Sequence, residues 1–515
     1  MLEEITGAFQ GEFLWVVVAG LILAFFLGAG QGANDVSNAF ATSVGSGVLK
    51  LRTAYILATI FETLGTVLVG YQVTDAVRKA VVDLDVYKDK PNELLLGQLA
   101  ILGGSSIWLA IATALNAPVS TTHSVVGSTL GFTLLLHGTA GIEWGMVGQI
   151  VLSWVISPLM AGTVAAGMYV IVDHAVLRRR HPVRAGLRTL PFIYLVCIAF
   201  NTFAVTYDGS KLLHLDSIPL WLAILLSIGM GVLVALVFQF FLRNRLERKV
   251  NQAQPTAIDR ALQKADDEQK GEWTINGRRV LTFRLENGAS GEKNAEKVSV
   301  SIVSFASSSS DDLESNQQRC ERRQEFGTSP KQFVRWFLPD RERREDIKTL
   351  RLFGYVQIFT ACFAGFAHGA NDVSNAVAPL VAIFAINREH SVEQKGQTPL
   401  LLLLYGVLAT LCGLWLLGHR VIRTVGSRMS TINPATGFII EFGAAVTTLF
   451  ASKIGIPIST THCLIGAVVM VGCVSSRKGI DWSIFRQIAL SWVITLPVSA
   501  AISAAIMLLL KWIAL

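Results

Sequence analysis

The chain has 515 residues, 52% of them hydrophobic and 16% charged, with a mean hydropathy of +0.50. Soluble domains carry about 25% charged residues, so a soluble globular fold is excluded. The net charge of +7 lies mainly in connectors and one central segment, as topology control in a membrane requires, so lipid is an expected partner and nucleic acid is not.

The N-terminus is acidic (Glu3, Glu4) and lacks the basic start of a cleavable signal peptide. The first apolar stretch, 13–34, is therefore expected to stay as a membrane anchor. A bilayer core of about 30 Å takes roughly 20 apolar residues per helix. Uncharged stretches at 13–34, 217–242, 352–371, 396–419 and 487–510 meet that length. No Asp, Glu, Lys or Arg occurs between Glu93 and Glu143, nor over Trp144–Val172. The fold class is an all-α polytopic membrane protein. The six cysteines form no CxxC pair or metal spacing and read as small packing residues.

An internal repeat organises these segments. Gly32-Ala33-Asn34-Asp35-Val36-Ser37-Asn38-Ala39 recurs as Gly369-Ala370-Asn371-Asp372-Val373-Ser374-Asn375-Ala376, an offset of 337 (32 to 369). Pro118-Val119-Ser120-Thr121-Thr122-His123 recurs as Pro457-Ile458-Ser459-Thr460-Thr461-His462, an offset of 339 (118 to 457). Ser153-Trp154-Val155-Ile156 recurs as Ser491-Trp492-Val493-Ile494 at 338 (153 to 491). The division that follows is a first repeat at 1–188, a two-helix spacer at 189–242, a loop at 243–350 and a second repeat at 351–515. The loop is polar and is expected to be mostly disordered, apart from a weak hairpin signal around Asn276-Gly277.

Basic residues set the expected orientation. Arg178, Arg179, Arg180, Arg184 and Arg188 precede the spacer and 243–249 follows it, whereas its inner connector holds only Lys211. The loop is then cytoplasmic, with Arg420, Arg423, Arg428, Arg477 and Lys478 on the same side. Arg78, Lys79, Lys88 and Lys90 run against this rule, since their connector is placed outside. Three full crossings per half put both termini outside and make 116–122 part of a re-entrant hairpin. The second half begins on the opposite side from the first, which gives an inverted-topology repeat with broken helices and re-entrant helical hairpins.

Two sets of residues carry the chemistry. Asp35 and Asp372 lie in apolar segments, where a carboxylate costs about 2.5–3.5 kcal/mol and therefore faces a cavity, an ion or a partner. Each sits in a Gly-Ala-Asn-Asp-Val-Ser-Asn cluster, in which Gly tolerates unwound backbone and Asn and Ser offer further ligand atoms to a hard cation such as sodium. The Pro-(Val/Ile)-Ser-Thr-Thr-His motifs read as helix starts, whose free N–H groups and hydroxyls suit an anion. Glu62 and Glu441 are further acids in apolar sequence, suited to a coupling cation or a proton, and they do not correspond across the repeat offset. Lys453, His123 and His462 read as snorkelling or packing residues rather than as ligands. There is no P-loop, dinucleotide fingerprint, zinc motif or nucleophile elbow, and an enzyme is not expected.

With both motifs present twice, the chain resembles the PiT (type III) family of inorganic phosphate transporters over about 10–240 and 350–512. Its long central loop resembles that of the eukaryotic members. The resemblance implies that Asn34, Asp35, Asn371 and Asp372 hold the substrate and cation site. It implies that Ser120, Thr121, Thr122, Ser459, Thr460 and Thr461 surround phosphate, and that Glu62 and Glu441 are acidic positions used in transport. It also implies sodium as the coupling ion, no other cofactor, a homodimer, and a plasma-membrane symporter for phosphate. The alternatives are a proton-coupled phosphate permease or sulfate permease, an anion channel, and a phosphate sensor.

Overall fold

The structure, a computed structural model, describes residues 13–79, 81–207, 215, 217–252, 330–340, 343, 345–394, 396, 398–422, 432–454, 458–475 and 480–515. Among these there is no β-strand, only an isolated bridge between Val82 and Ile142. The first half runs α1 (Leu14–Asn34), α2 (Ser37–Gly45), α3 (Leu51–Lys79), α4 (Pro91–Ala114), α5 (Thr121–His137) and α6 (Trp144–Val172). The spacer follows as α7 (Pro182–Thr206) and α8 (Leu220–Val237), then α9 (Arg243–Gln252) and the short α10 (Pro330–Phe337). The second half runs α11 (Ile347–Asn371), α12 (Val373–Glu389), α13 (Leu400–Leu417), α14 (Pro434–Lys453), α15 (Thr460–Ser475) and α16 (Trp482–Ala514).

Among the described residues, ten helical stretches are long and apolar enough to cross a bilayer. Their outer faces are apolar in a way that water would not tolerate: Leu152, Val155 and Leu159 on α6, Trp221 and Leu225 on α8, and Leu490, Val493 and Leu509 on α16 are all exposed. Trp144, Trp221 and Trp482 open their helices and Trp512 lies near the end of α16, the placement of an interfacial aromatic belt. The expected connector 207–217 and the loop lie mostly outside the described residues, as do Asn276-Gly277, Cys320, Arg423, Arg428, Pro457, Arg477 and Lys478. The loop's described ends are helical, α9 on one side and α10 on the other.

The halves interlock rather than stand side by side. Helix α1 packs on α13 and α4, and α11 packs on α3 and α14 in the same manner. Each hairpin is clasped by the final helix of the other half: α4 and α5 lie on α16, α14 and α15 on α6. Every one of these packings has its counterpart under exchange of halves. Glycine allows the closest of them. A Cβ on Gly32 would run into the backbone of Thr410, and one on Gly369 into the backbone of Glu62. These two glycines stay inside α1 and α11, so close helix crossing, not unwound backbone, is the reason for them.

One polar cluster ties the loop to the bundle. Asp173, fully buried in a π-helical turn (Asp173–Leu177) beyond α6, pairs with Arg178 and at 2.5 Å with Arg343, which also holds Glu345 at 2.9 Å. Arg178 Nη1 donates to the Trp336 carbonyl of α10 at 2.8 Å. The chain entering the second half is thereby pinned to the end of the first.

Candidate transport site

The first long helix breaks at Asp35–Val36, and its counterpart breaks at Asp372. Both aspartates keep right-handed helical dihedrals, with φ −91° and ψ −30° at Asp35 and φ −81° and ψ −35° at Asp372. The breaks are slips of hydrogen-bond register, marked by bonds spanning three residues instead of four, from Asn375 N to Asp372 O and from Ala39 N to Val36 O. They turn the two carboxyl groups towards the hairpin tips.

Helix α4 ends at a left-handed Asn116 (φ 54°), with Ala117 N bonded back to Ala112 O. The chain then turns and restarts as α5 behind Ser120, which caps it by accepting from His123 N at 3.4 Å. Ser459 caps α15 from His462 N at 3.3 Å. Val119, Ser120, Thr121, Ser459 and Thr461 are all nearly inaccessible. Tips buried inside the protein belong to helices that turn back within it, as re-entrant hairpins do.

The tips are held by the broken helices. Asn34 Nδ2 donates to Ala117 O at 3.0 Å, and Asn34 Oδ1 accepts from Val119 N at 3.1 Å. Asn371 Nδ2 donates to Ile458 O at 3.2 Å. Asp35 Oδ2 accepts from both the hydroxyl and the backbone N–H of Thr121, and Oδ1 accepts from Thr461 of the other hairpin at 3.4 Å. Asp372 Oδ2 accepts from Thr460 Oγ1 at 2.5 Å. Asn375 donates to Thr122 Oγ1 at 2.9 Å and to Asp372 Oδ1 at 3.3 Å. Two helix starts thus meet on two carboxylates between the halves. Behind them the rings of His123 and His462 lie 4.6 Å apart, against Trp154 and Trp492, as packing residues.

Glu62 and Glu441 part company. His368 lies between Glu62 and Asp372, its Nδ1 3.0 Å from Glu62 Oε1 and its Nε2 3.0 Å from Asp372 Oδ2. The ring thus sits between two acids, although its nitrogens and the Glu62 oxygens do not meet hydrogen-bond geometry. Glu441 lies elsewhere: its Oε1 accepts from Thr42 at 2.5 Å, Ser43 at 2.6 Å and Gln357 at 3.3 Å, and its Oε2 from Thr360 at 2.7 Å. Thr360 is eight residues before His368 on α11, about 12 Å along the helix axis. The four acids read from the sequence as cation positions therefore form two groups, with Asp35, Asp372 and Glu62 in one and Glu441 in the other.

His368 is the site residue that sequence reasoning missed. The available signal was a titratable side chain four residues before Asp372 in an otherwise apolar run. Lys453 is not at the tip, because its Nζ donates to Tyr207 O at 2.8 Å. A cavity of about 20 Å³ opens beside the tips, lined by Ala39, His368, Thr448 and Thr460 among others. It has room for about one water.

Broken helices, buried hairpin tips and paired carboxylates at the seam of two interlocked halves define a membrane transporter of the repeat-built kind. The chain belongs to the Phosphate transporter family, whose sequence profile it matches over residues 31–503. It is 30% identical to the mouse (Mus musculus) sodium-dependent phosphate transporter 1, over 98% of this chain and 96% of that protein. It is 33% identical to the Xenopus tropicalis sodium-dependent phosphate transporter 2, over 97% of this chain and 98% of that one. A solved structure, described as the sodium-dependent phosphate transporter, superposes with a TM-score of 0.73 at 28% identity. That match covers 97% of this chain and 99% of the other.

Proposed function

We propose that the protein is a secondary active symporter that imports inorganic phosphate with sodium by alternating access. The observation that carries this is the meeting of two helix starts, through Thr121 and Thr461, on the single carboxylate of Asp35, with Thr460 repeating the contact on Asp372. Such a centre holds opposite charges side by side. Phosphate takes the hydroxyls of Ser120, Thr121, Thr122, Ser459, Thr460 and Thr461 and the N–H groups of the helix starts. Sodium takes Asp35 and Asp372, with Glu62 and Glu441 as further cation positions. Asn34 and Asn371, which brace the tips, transmit a change at either ion to the hairpin backbone.

Phosphate alone would face the like-charged carboxylates of Asp35 and Asp372, and sodium bound at those carboxylates offsets the repulsion. Sodium then raises phosphate affinity, and phosphate raises sodium affinity by the same factor. The exchange symmetry of the packing supports an inverted repeat, with repeats at 1–188 and 351–515 rocking about the site. In this topology the spacer at 189–242 returns the chain to the cytoplasm, the loop at 243–350 is cytoplasmic, and both termini face outward across a plasma membrane. A homodimer in the lipid bilayer completes the reading.

Radiolabelled phosphate uptake into proteoliposomes tests it, under an inward sodium gradient against a potassium control and with excess sulfate. Saturable, sodium-dependent and sulfate-resistant uptake is expected; uptake equal in potassium would overturn sodium coupling. The contact of His368 with two carboxylates favours a second reading, in which a proton travels at the Asp372 site, and uptake driven by a pH gradient alone would establish it.

A further inference from the structure

Asp372 is flanked by His368 on its own helix and by Glu62 across the crossing with α3. The surroundings of Asp35 hold counterparts for both. Along the signature the counterpart of His368 is Gln31, each four residues before its aspartate. Asp35 N donates to Gln31 O at 2.7 Å, and Asp372 N to His368 O at 2.7 Å, so the local helix geometry is the same. Across the crossing the counterpart of Glu62 is Thr410. A side chain on Gly32 would meet the Thr410 backbone as one on Gly369 would meet that of Glu62. Three residues further along, Gly413 abuts the Ala29 carbonyl as Gly65 abuts that of Phe366. Ala29 and Phe366 stand at the signature's own offset of 337 (29 to 366).

Gln31 and Thr410 are buried at 0% and 1% exposure. Neither atom of the Gln31 carboxamide has a hydrogen-bond partner, and neither does the Thr410 hydroxyl. Unsatisfied polar atoms in an apolar interior are expensive, and here they come from both sides of one helix crossing, beside a carboxylate. Carbonyl, hydroxyl and carboxylate oxygens are the ligands of a hard cation.

We propose that Gln31 Oε1, Thr410 Oγ1 and the Asp35 carboxylate form a sodium site where α1 crosses α13. Neither Gln31 nor Thr410 titrates, so this flank of Asp35 can hold a cation but cannot itself relay a proton. Gln31 Nε2 is left to donate to a water held with the ion. The assignment rests on the sodium-coupled reading above and extends it to two residues of this chain.

The test uses the full-length protein with Thr410→Val, Gln31→Leu and Gln31→Glu. One readout is the rise in unfolding temperature on replacing KCl by NaCl at constant ionic strength. The other is the sodium concentration for half-maximal phosphate uptake. Thr410→Val and Gln31→Leu are expected to lose most of the sodium-specific rise and to need about tenfold more sodium, as the loss of one ligand to an ion implies. Gln31→Glu keeps an oxygen ligand and adds charge, so its sodium requirement is expected to fall; it carries the test if Gln31→Leu does not fold. Sodium responses unchanged in the variants beside a responsive parent protein would overturn the site alone, as would a higher sodium requirement in Gln31→Glu. A parent protein that answers equally to sodium and potassium would overturn the sodium reading, and the site with it.

Discussion

The two halves are alike at the hairpin tips and unlike along the flanks. Thr121 on Asp35 is matched by Thr460 on Asp372, and Asn34 bracing one tip is matched by Asn371 bracing the other. One turn away the likeness ends: Gln31 and Thr410 flank Asp35 where His368 and Glu62 flank Asp372. Glu441, with four donors around it, has Leu102 as its counterpart at the hairpin offset of 339 (102 to 441). A substrate bound between the halves needs equivalent groups from both. Coupling ions bound beside it do not, and the chain has used that freedom to place its titratable groups unevenly.

Several experiments would break or sharpen this comparison. The largest effect belongs to the shared tips: Asp35→Asn or Asp372→Asn is expected to reduce sodium-dependent uptake at least about thirtyfold, since disrupting a buried charge pair costs about 2 kcal/mol or more. Surface expression should be unchanged, and normal uptake in either variant would remove that residue from the site. Gly32→Ala comes next, because its Cβ would enter the Thr410 backbone. Overpacking of this kind costs about 1–3 kcal/mol, to be read as a lower unfolding temperature in detergent and weaker uptake. Unaltered stability there would mean that the crossing is looser than described.

Glu441→Gln should destabilise by about 1–3 kcal/mol, because an amide cannot accept from all four donors on two carboxylate oxygens and its NH2 then faces another donor. Thermal unfolding measures this, and a neutral result would show that the pocket rearranges. The smallest expected change is the most specific. The double variant Glu62→Thr with His368→Gln gives Asp372 the flank of Asp35, and it should flatten the pH dependence of uptake. A pH profile left intact would move the proton-sensitive step away from His368.

The motifs were legible because they occur twice, and repetition at one offset raises short polar strings above the background of apolar helices. That same method passed over His368, whose counterpart is an uncharged Gln31. It also separated Glu62 from Thr410, because α3 and α13 are displaced by 348 positions (62 to 410) while the signature is displaced by 337. Gly32 was legible as important but for the wrong reason: its neighbour, the Thr410 backbone, is distant in sequence, and only packing reveals it. The partners of Glu441 come from α2 and α11, on either side of the central loop, and no local pattern announces such a pocket.

Phosphate and sodium sharing one charge-balanced centre is the central claim, and equilibrium binding of radiolabelled phosphate to the purified protein tests it most directly. Measured in NaCl and in KCl at equal ionic strength, phosphate affinity should be higher in sodium, and Asp35→Asn and Asp372→Asn should each erase the difference. Equal affinity in the two salts, or a sodium effect that survives both substitutions, would contradict it.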